Sequence, residues 1–252
     1  MNKIFYHKSG KGNPVVLIHG YCETHQIWAN TVPFLSNEWE VYTLDLPGFG
    51  SSPLPEGSFS IADIGNSVLL WMKEVGLKKP IVIGHSLGGY VTMAMVAQEE
   101  SFFRAVGLFH STAFPDSEER KTNRNKVIEF VRSHGATPFI DTFVPSLFYR
   151  KDHPAVSAVY QIAAQTSPAA IMAYAAAMRD RPSHIETLKN FDRPVLLLGG
   201  DQDQSIPVDI MQEMGRTAKH SILNILPQTG HAGMYENVGG TAEALALFCR
   251  QA

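Results

Sequence analysis

The chain has 252 residues, 44% of them hydrophobic and 18% charged, with a formal net charge of −3. Those values exclude a disordered polymer and a strongly basic nucleic-acid binder, and the length suits one large α/β domain with its own core. No run approaches the roughly 18 apolar residues of a membrane span, and two widely spaced cysteines, Cys22 and Cys249, form no disulfide framework.

The opening residues lack the long apolar run of a secretion signal, so a cytoplasmic protein with two reduced thiols is expected. Only Ile4–His7 can form a strand before the first buried one, Val15–His19. A helix is predicted over Thr24–Leu35, a strand over Val41–Asp45 and a helix over Ile61–Val75. The run Pro80-Ile81-Val82-Ile83 then reads as a buried strand, predicted over Ile81–Gly84. It meets Gly84-His85-Ser86-Leu87-Gly88-Gly89 and a helix over Tyr90–Gln98. A strand, a sharp glycine-flanked turn and a helix hold a serine hydroxyl clear of the sheet edge, above a helix N-terminus that favours negative charge. The next strand is Ala105–His110.

The rhythm of strand and helix then breaks. From about Ser111 to Arg193 only helical patterns appear, over Ser117–Ser133, Pro138–Phe148, Pro154–Gln165 and Pro168–Met178, punctuated by prolines. Such a helical insert after the serine turn reads as a lid, and the division predicted is a core of residues 1–111 and 193–252 with a lid of residues 112–192. Its many aromatic residues must mostly pack on one another, with a few, such as Phe139, Phe143 and Leu147, lining an apolar pocket. The core resumes with strand Val195–Gly199, helix Val208–Ala218, strand Ser221–Leu226 and helix Val238–Arg250. Pro207 suits a helix opening. Valine, isoleucine and leucine at the strand centres point to a mainly parallel sheet covered on both faces.

A serine hydroxyl is a weak nucleophile until a base takes its proton and an acid orients that base. Among ten histidines, His231 lies in Gly230-His231-Ala232-Gly233, a loop directly after the last strand, where a ring can approach Ser86. The acid belongs in the loop Gly199-Gly200-Asp201-Gln202-Asp203-Gln204-Ser205-Ile206-Pro207. Asp203 is chosen, four residues before Pro207, leaving Asp201 to bond the loop backbone. The developing oxyanion needs two donors: the backbone N–H groups of Leu87, after the serine, and of Tyr21, after His19-Gly20. His110, ending a strand, is expected to line the pocket or pack there rather than to catalyse, and His85 to pack against neighbouring strands. No histidine or cysteine spacing suggests a metal, and no glycine loop suggests a phosphate cofactor, so neither is expected.

Taken together, the His19-Gly20 strand exit, the turn Asp45-Leu46-Pro47-Gly48-Phe49-Gly50-Ser51-Ser52, the Gly84–Gly89 elbow, Asp203 and Gly230-His231 resemble the α/β-hydrolase family over nearly the whole chain. The resemblance implies a mostly parallel sheet of about seven strands, the usual first strand missing, with a helical lid inserted after the sixth strand of the usual fold. It makes Asp45, Gly48 and Gly50 structural, and puts Trp28 near the pocket or in the core. Serine at position 86 departs from the aspartate of haloalkane dehalogenases and epoxide hydrolases and from the cysteine of dienelactone hydrolases. The chain is similar to pimeloyl-carrier-protein methyl ester esterases, small carboxylesterases and enol-lactonases. That similarity implies hydrolysis of a small carboxylic ester or lactone, with carbon–carbon bond hydrolysis, cofactor-free perhydrolysis and a slow ligand-binding sensor as alternatives. In the carrier-protein esterases basic lid residues meet an acidic partner. Here Arg120, Lys121, Arg124, Lys126 and Arg132 are interleaved with acids, which favours a solvated helix face over an acyl carrier protein surface.

Overall fold

A computed structural model describes residues 3–252. Seven strands form one sheet in the order β1-β3-β2-β4-β5-β6-β7. They are β1 (Tyr6–Ser9), β2 (Pro14–Ile18), β3 (Glu40–Leu44), β4 (Ile81–His85), β5 (Ala105–Phe109), β6 (Val195–Gly200) and β7 (Ser221–Leu226). Only β1 is antiparallel, pairing Tyr6 with Leu44 and Ser9 with Val41; the other pairings are parallel. Every residue of β4 and β5 is buried, because helices cover both faces. The edge strands are less apolar: β1 is largely exposed and β7 half-buried.

Chain order reverses beside β2. From β2 the chain moves out to β3, then crosses back to β4 on the other side. The loops leaving β2 and β4 therefore diverge and open a crevice at the carboxyl ends of the strands, the place where such sheets bind ligands. His19–Tyr21 and Ser86 stand at that crevice.

The core helices are α1 (Val32–Leu35), α2 (Ile61–Glu74) and α3 (Leu87–Glu99). The segment between β5 and β6 carries α4 (Glu118–His134), α5 (Thr137–Ser146), α6 (Val156–Ala163), α7 (Pro168–Arg179) and α8 (Ile185–Asn190). The chain closes with α9 (Val208–Thr217), α10 (Gly233–Glu236) and α11 (Val238–Gln251). The single helix expected over Thr24–Leu35 is instead a 3₁₀ turn, His25–Trp28, followed by the short α1. Pro33 is the reason: it offers no N–H to Ala29 and its ring would strike that carbonyl. The short helices α8 and α10 carry too few residues for a periodic apolar pattern to show.

The Asp45 turn bolts two strand ends together. The buried Asp45 carboxylate accepts from the Ser51 amide at 2.9 Å and from the His25 amide at 2.8 Å. Gly50 has φ +52°, and a Cβ there would lie 2.2 Å from Asp45 Oδ2. His19 Nε2 accepts from the Leu46 amide at 2.9 Å, and Nδ1 donates to the Gly20 carbonyl at 2.7 Å. The loop after β2 is thus braced from β3.

The candidate active site

Ser86 sits between β4 and α3 with φ +49° and ψ −114°, a backbone conformation that side-chain-bearing residues rarely adopt. Its amide donates to the Phe109 carbonyl at 2.9 Å, and its carbonyl accepts from Ser111 Oγ at 2.7 Å. The glycines of the motif are there for space. A Cβ on Gly84 would fall 2.2 Å from the Gly88 backbone, and one on Gly88 would fall 2.4 Å from the Ile18 carbonyl. The turn can therefore lie flat against β2 and lift the serine off the sheet. Its hydroxyl makes no hydrogen bond to a protein group among the described residues, and it opens on a cavity of about 180 Å³ that His231 also lines.

His231 follows β7 in a loop held on three sides. Its amide donates to the Leu147 carbonyl at the end of α5, at 2.7 Å. Its carbonyl accepts from His85 Nε2 at 2.9 Å. Its Nδ1 donates to Asp203 Oδ2 at 2.8 Å, which leaves Nε2 as the basic nitrogen on the cavity side. Close packing of the two loops makes this possible: a Cβ on Gly200 would lie 2.1 Å from the Thr229 carbonyl. Asp201 accepts from the Thr229 amide at 3.2 Å.

Asp203 is buried and accepts four hydrogen bonds. Oδ1 takes the amides of Ser205 (2.7 Å) and Ile206 (3.0 Å). Oδ2 takes His231 and also His110 Nδ1, at 2.9 Å. Burial alone would push this carboxyl up, but the facing His231 and the bonds from both rings hold it far below the usual carboxylate range. His110, with φ +48°, is fully buried, and its Nε2 has no partner. Burial lowers its pKa to about 4 in spite of Asp203, so the ring is neutral. His110, Asp203 and His231 are close enough together to suggest a metal site. Both Nδ1 atoms, however, carry the proton they donate to Asp203 and have no lone pair left for a metal. A neutral buried histidine also has a cost in acid. The unfolded ring binds its proton near pH 6.5, the folded one only near about 4. Stability from this group is therefore lost as the pH falls across that window. His110→Asn, which keeps a donor to Asp203, is expected to narrow that loss in urea titrations run from pH 7 to about pH 4. His19 and His85 are present in both proteins, so the comparison reports the change made at His110 together with its effect on the groups it faces, Asp203, His231 and His85.

A second histidine–carboxylate pair lies beside the first, the centroids of the His85 and His231 rings being 5.1 Å apart. His85 Nδ1 meets Glu23 Oε2 at 2.9 Å, and both side chains are buried. The same Glu23 oxygen accepts from the Gly20 amide at 2.6 Å. Both His85 nitrogens thus face acceptors, which is the arrangement of an imidazolium. Burial opposes charge on each partner, yet each holds the other ionised: His85 is raised and Glu23 lowered. The pair ties the Gly20–Tyr21 loop to the His231 loop. Glu23→Ala strands a buried cation and is expected to cost about 3–5 kcal/mol in chemical denaturation. Glu23→Gln, which keeps an acceptor, is expected to cost less.

Tyr21 and Leu87 flank Ser86. The Tyr21 amide donates to no protein acceptor among the described residues, and Leu87 opens α3, where an amide has no partner within the helix. Phe143 and Leu147 line the cavity with Val127, Met178 and Ile206. Phe139 lies one layer back, stacked on Phe143 at 5.2 Å. Trp28 does not reach the cavity. It is fully buried, 5.9 Å from the Phe109 ring. His85, expected to pack between strands, instead lines the cavity, and so do Arg120 and Arg124. Their spacing with Asn123 and Val127 puts all four on one face of α4, a periodicity legible in the sequence. Buried Arg181 was not anticipated either: it lies over the Tyr90 ring at 3.8 Å and bonds Asp116 at 2.7 Å, fastening the helical insert to α3.

A family model described as the alpha/beta hydrolase fold matches residues 13–238. The chain belongs to this family. An esterase from Thermogutta terrifontis, solved with malate bound, is 28% identical with a TM-score of 0.93, covering 98% of this chain and 93% of that one. The pimeloyl-[acyl-carrier protein] methyl ester esterase of Vibrio atlanticus is 24% identical over 98% of both proteins. The enol-lactonase of Burkholderia xenovorans LB400 is 19% identical with a TM-score of 0.91, covering 99% and 97%; at that identity it shares the fold. The sequence resemblance and the seven-stranded sheet both agree with these matches. No helix among the described residues of this hydrolase is long and apolar enough to cross a membrane.

Proposed function

We propose that this hydrolase cleaves a carboxylic ester or lactone through an acyl-enzyme on Ser86. One observation carries the reading. A serine at a strained strand-to-helix turn and a histidine backed by a buried carboxylate open on the same cavity, and His231 Nδ1 is bonded to Asp203 at 2.8 Å. In this mechanism Ser86 Oγ attacks the substrate carbonyl as His231 Nε2 takes its proton. The amides of Tyr21 and Leu87 receive the oxyanion. His231 returns the proton to the departing alkoxide; it then draws a proton from the attacking water and passes it to Ser86 Oγ as the acyl bond breaks and the acid leaves. Asp203 stays ionised throughout, and His110 steadies it from behind.

The helical insert between β5 and β6 serves as the lid. Val127, Phe143, Leu147 and Met178 give it an apolar lining suited to a modest acyl or aromatic group. Two buried, unpaired thiols, Cys22 and Cys249, suit a reducing compartment such as the cytoplasm. A fluorophosphonate probe tests the reading: it is expected to label the protein once, at Ser86. A panel of esters, lactones, diketones and peroxide acceptors then separates ester cleavage from the other chemistries of such a triad. A protein that resists the probe and leaves every ester intact would refute the assignment.

A further inference from the structure

We infer that the substrate carries a carboxylate besides its scissile ester, and that Arg124, with Arg120 beside it, receives that group; the inference rests on the serine-hydrolase reading above. Arg120 and Arg124 both line the cavity on which Ser86 and His231 open. Two other cations on α4 are matched within the helix: Lys121 pairs with Glu118 at 2.7 Å, and Arg132 with Glu129 at 2.5 Å, while Lys126 stands exposed in water. Neither Arg120 nor Arg124 has an acid three or four residues away inside α4.

Their remaining partners do not use up their donors. Arg124 Nε donates to Asp116 Oδ2 at 3.1 Å, but its two terminal amino groups donate to no protein acceptor among the described residues. Arg120 gives one amino group to the Ser205 carbonyl and keeps the others free. Asp116 is also shared, since its Oδ1 binds Arg181 at 2.7 Å. One carboxylate therefore stands against three guanidiniums. The other acids near the cavity are spoken for: Glu23 by His85, and Asp203 by His110 and His231. What remains is a half-buried planar fork with open donors, on the wall of a cavity otherwise largely apolar. A carboxylate is the group that matches this fork in charge, shape and hydrogen bonding.

The carboxylate can sit on the acyl side or on the alcohol side of the ester, and two substrate series distinguish these. Monomethyl succinate, glutarate and adipate are compared with neutral methyl esters of equal length. 3-Acetoxypropanoate is compared with propyl acetate. The wild-type protein is expected to favour the acid ester in one series by about tenfold or more in kcat/KM. Arg124→Met and Arg120→Met are each expected to shrink that ratio, and the double variant to bring it to about 1, through a higher KM for the acid ester. Arg124 also braces Asp116, whereas Arg120 touches only a loop carbonyl. The Arg120 variant and the wild-type comparison therefore keep the test independent of any folding defect at position 124. Equal or greater preference for neutral esters in both series overturns the inference, as does a preference that survives in the double variant. If fluorophosphonate labels Ser86 while neutral esters win, this inference alone falls. If neither labelling nor ester turnover occurs, the hydrolase reading falls and takes it along.

Discussion

Ser86→Ala is expected to lower kcat/KM for a short p-nitrophenyl ester by about 10⁴ to 10⁶ and to abolish fluorophosphonate labelling, while thermal unfolding shifts little. The two halves of that expectation have separate causes. The loss of activity follows because no other nucleophilic hydroxyl stands at the elbow beside the Leu87 amide. The preserved stability follows because the hydroxyl bonds no protein group, so its removal orphans nothing. The bonds that hold this turn belong to the backbone: the amide to Phe109, and the carbonyl to Ser111 and Gly89. Alanine meets the same φ of +49° that serine already tolerates. Turnover within tenfold of wild type would place the nucleophile elsewhere. A collapsed fold would mean that the hydroxyl has a structural partner.

The second large effect is expected at Asp203. Asparagine there presents one carbonyl and one amino group to four donors: two amides on one side and two imidazole Nδ1–H groups on the other. Whichever way the amide is turned, its NH₂ confronts a pair of donors. Each donor left unmatched costs about 1–3 kcal/mol. With the amino group toward the rings, His231 is pushed into the wrong tautomer, a change that lowers kcat on the order of 10⁴ in a comparable triad. Asp203→Asn should therefore lose both activity and stability, unlike Ser86→Ala. Ester hydrolysis and urea unfolding on the same preparation would show this contrast. Retention of more than about a tenth of wild-type kcat/KM would assign the acid's role to another residue.

Legibility from sequence followed locality. The β4 and β5 strands could be read because burial on both faces demands continuous runs such as Ile81–Ile83. The turns that carry Ser86 and His231 could be read because glycines on either side announce sharp turns at strand ends. Of the two aspartates told apart by their distance from Pro207, Asp203 meets His231 and Asp201 bonds the loop backbone at Thr229. What escaped depends on partners far along the chain. Glu23 meets His85 across 62 positions, and His110 meets Asp203 across 93. No local pattern encodes such a meeting. The basic residues of α4 divide for a related reason. Interleaved acids suggested a face turned to water, which holds for Lys126 and Arg132; Glu118 and Glu129 serve Lys121 and Arg132, whereas Arg120 and Arg124 are half-buried and line the cavity with Asn123 and Val127. The break before Pro33 was legible in principle, since proline forbids a helix from running through it, but the apolar periodicity of Ile27, Trp28 and Leu35 masked it.

The bond from the His231 amide to the Leu147 carbonyl, with Glu236 accepting from both the Gly230 and Tyr149 amides at 2.8 and 2.7 Å, joins the His231 loop to the end of α5. On the lid and triad reading proposed above, admission of substrate and readiness of the base would be mechanically linked: an outward swing of α5 would drag the imidazole off its axis, and its return would re-seat it. Exchange of the helical insert with that of another hydrolase would alter which molecules enter, but it would also have to supply a carbonyl where Leu147 now stands. Swapped inserts that neglect this seam should admit new substrates and turn them over poorly.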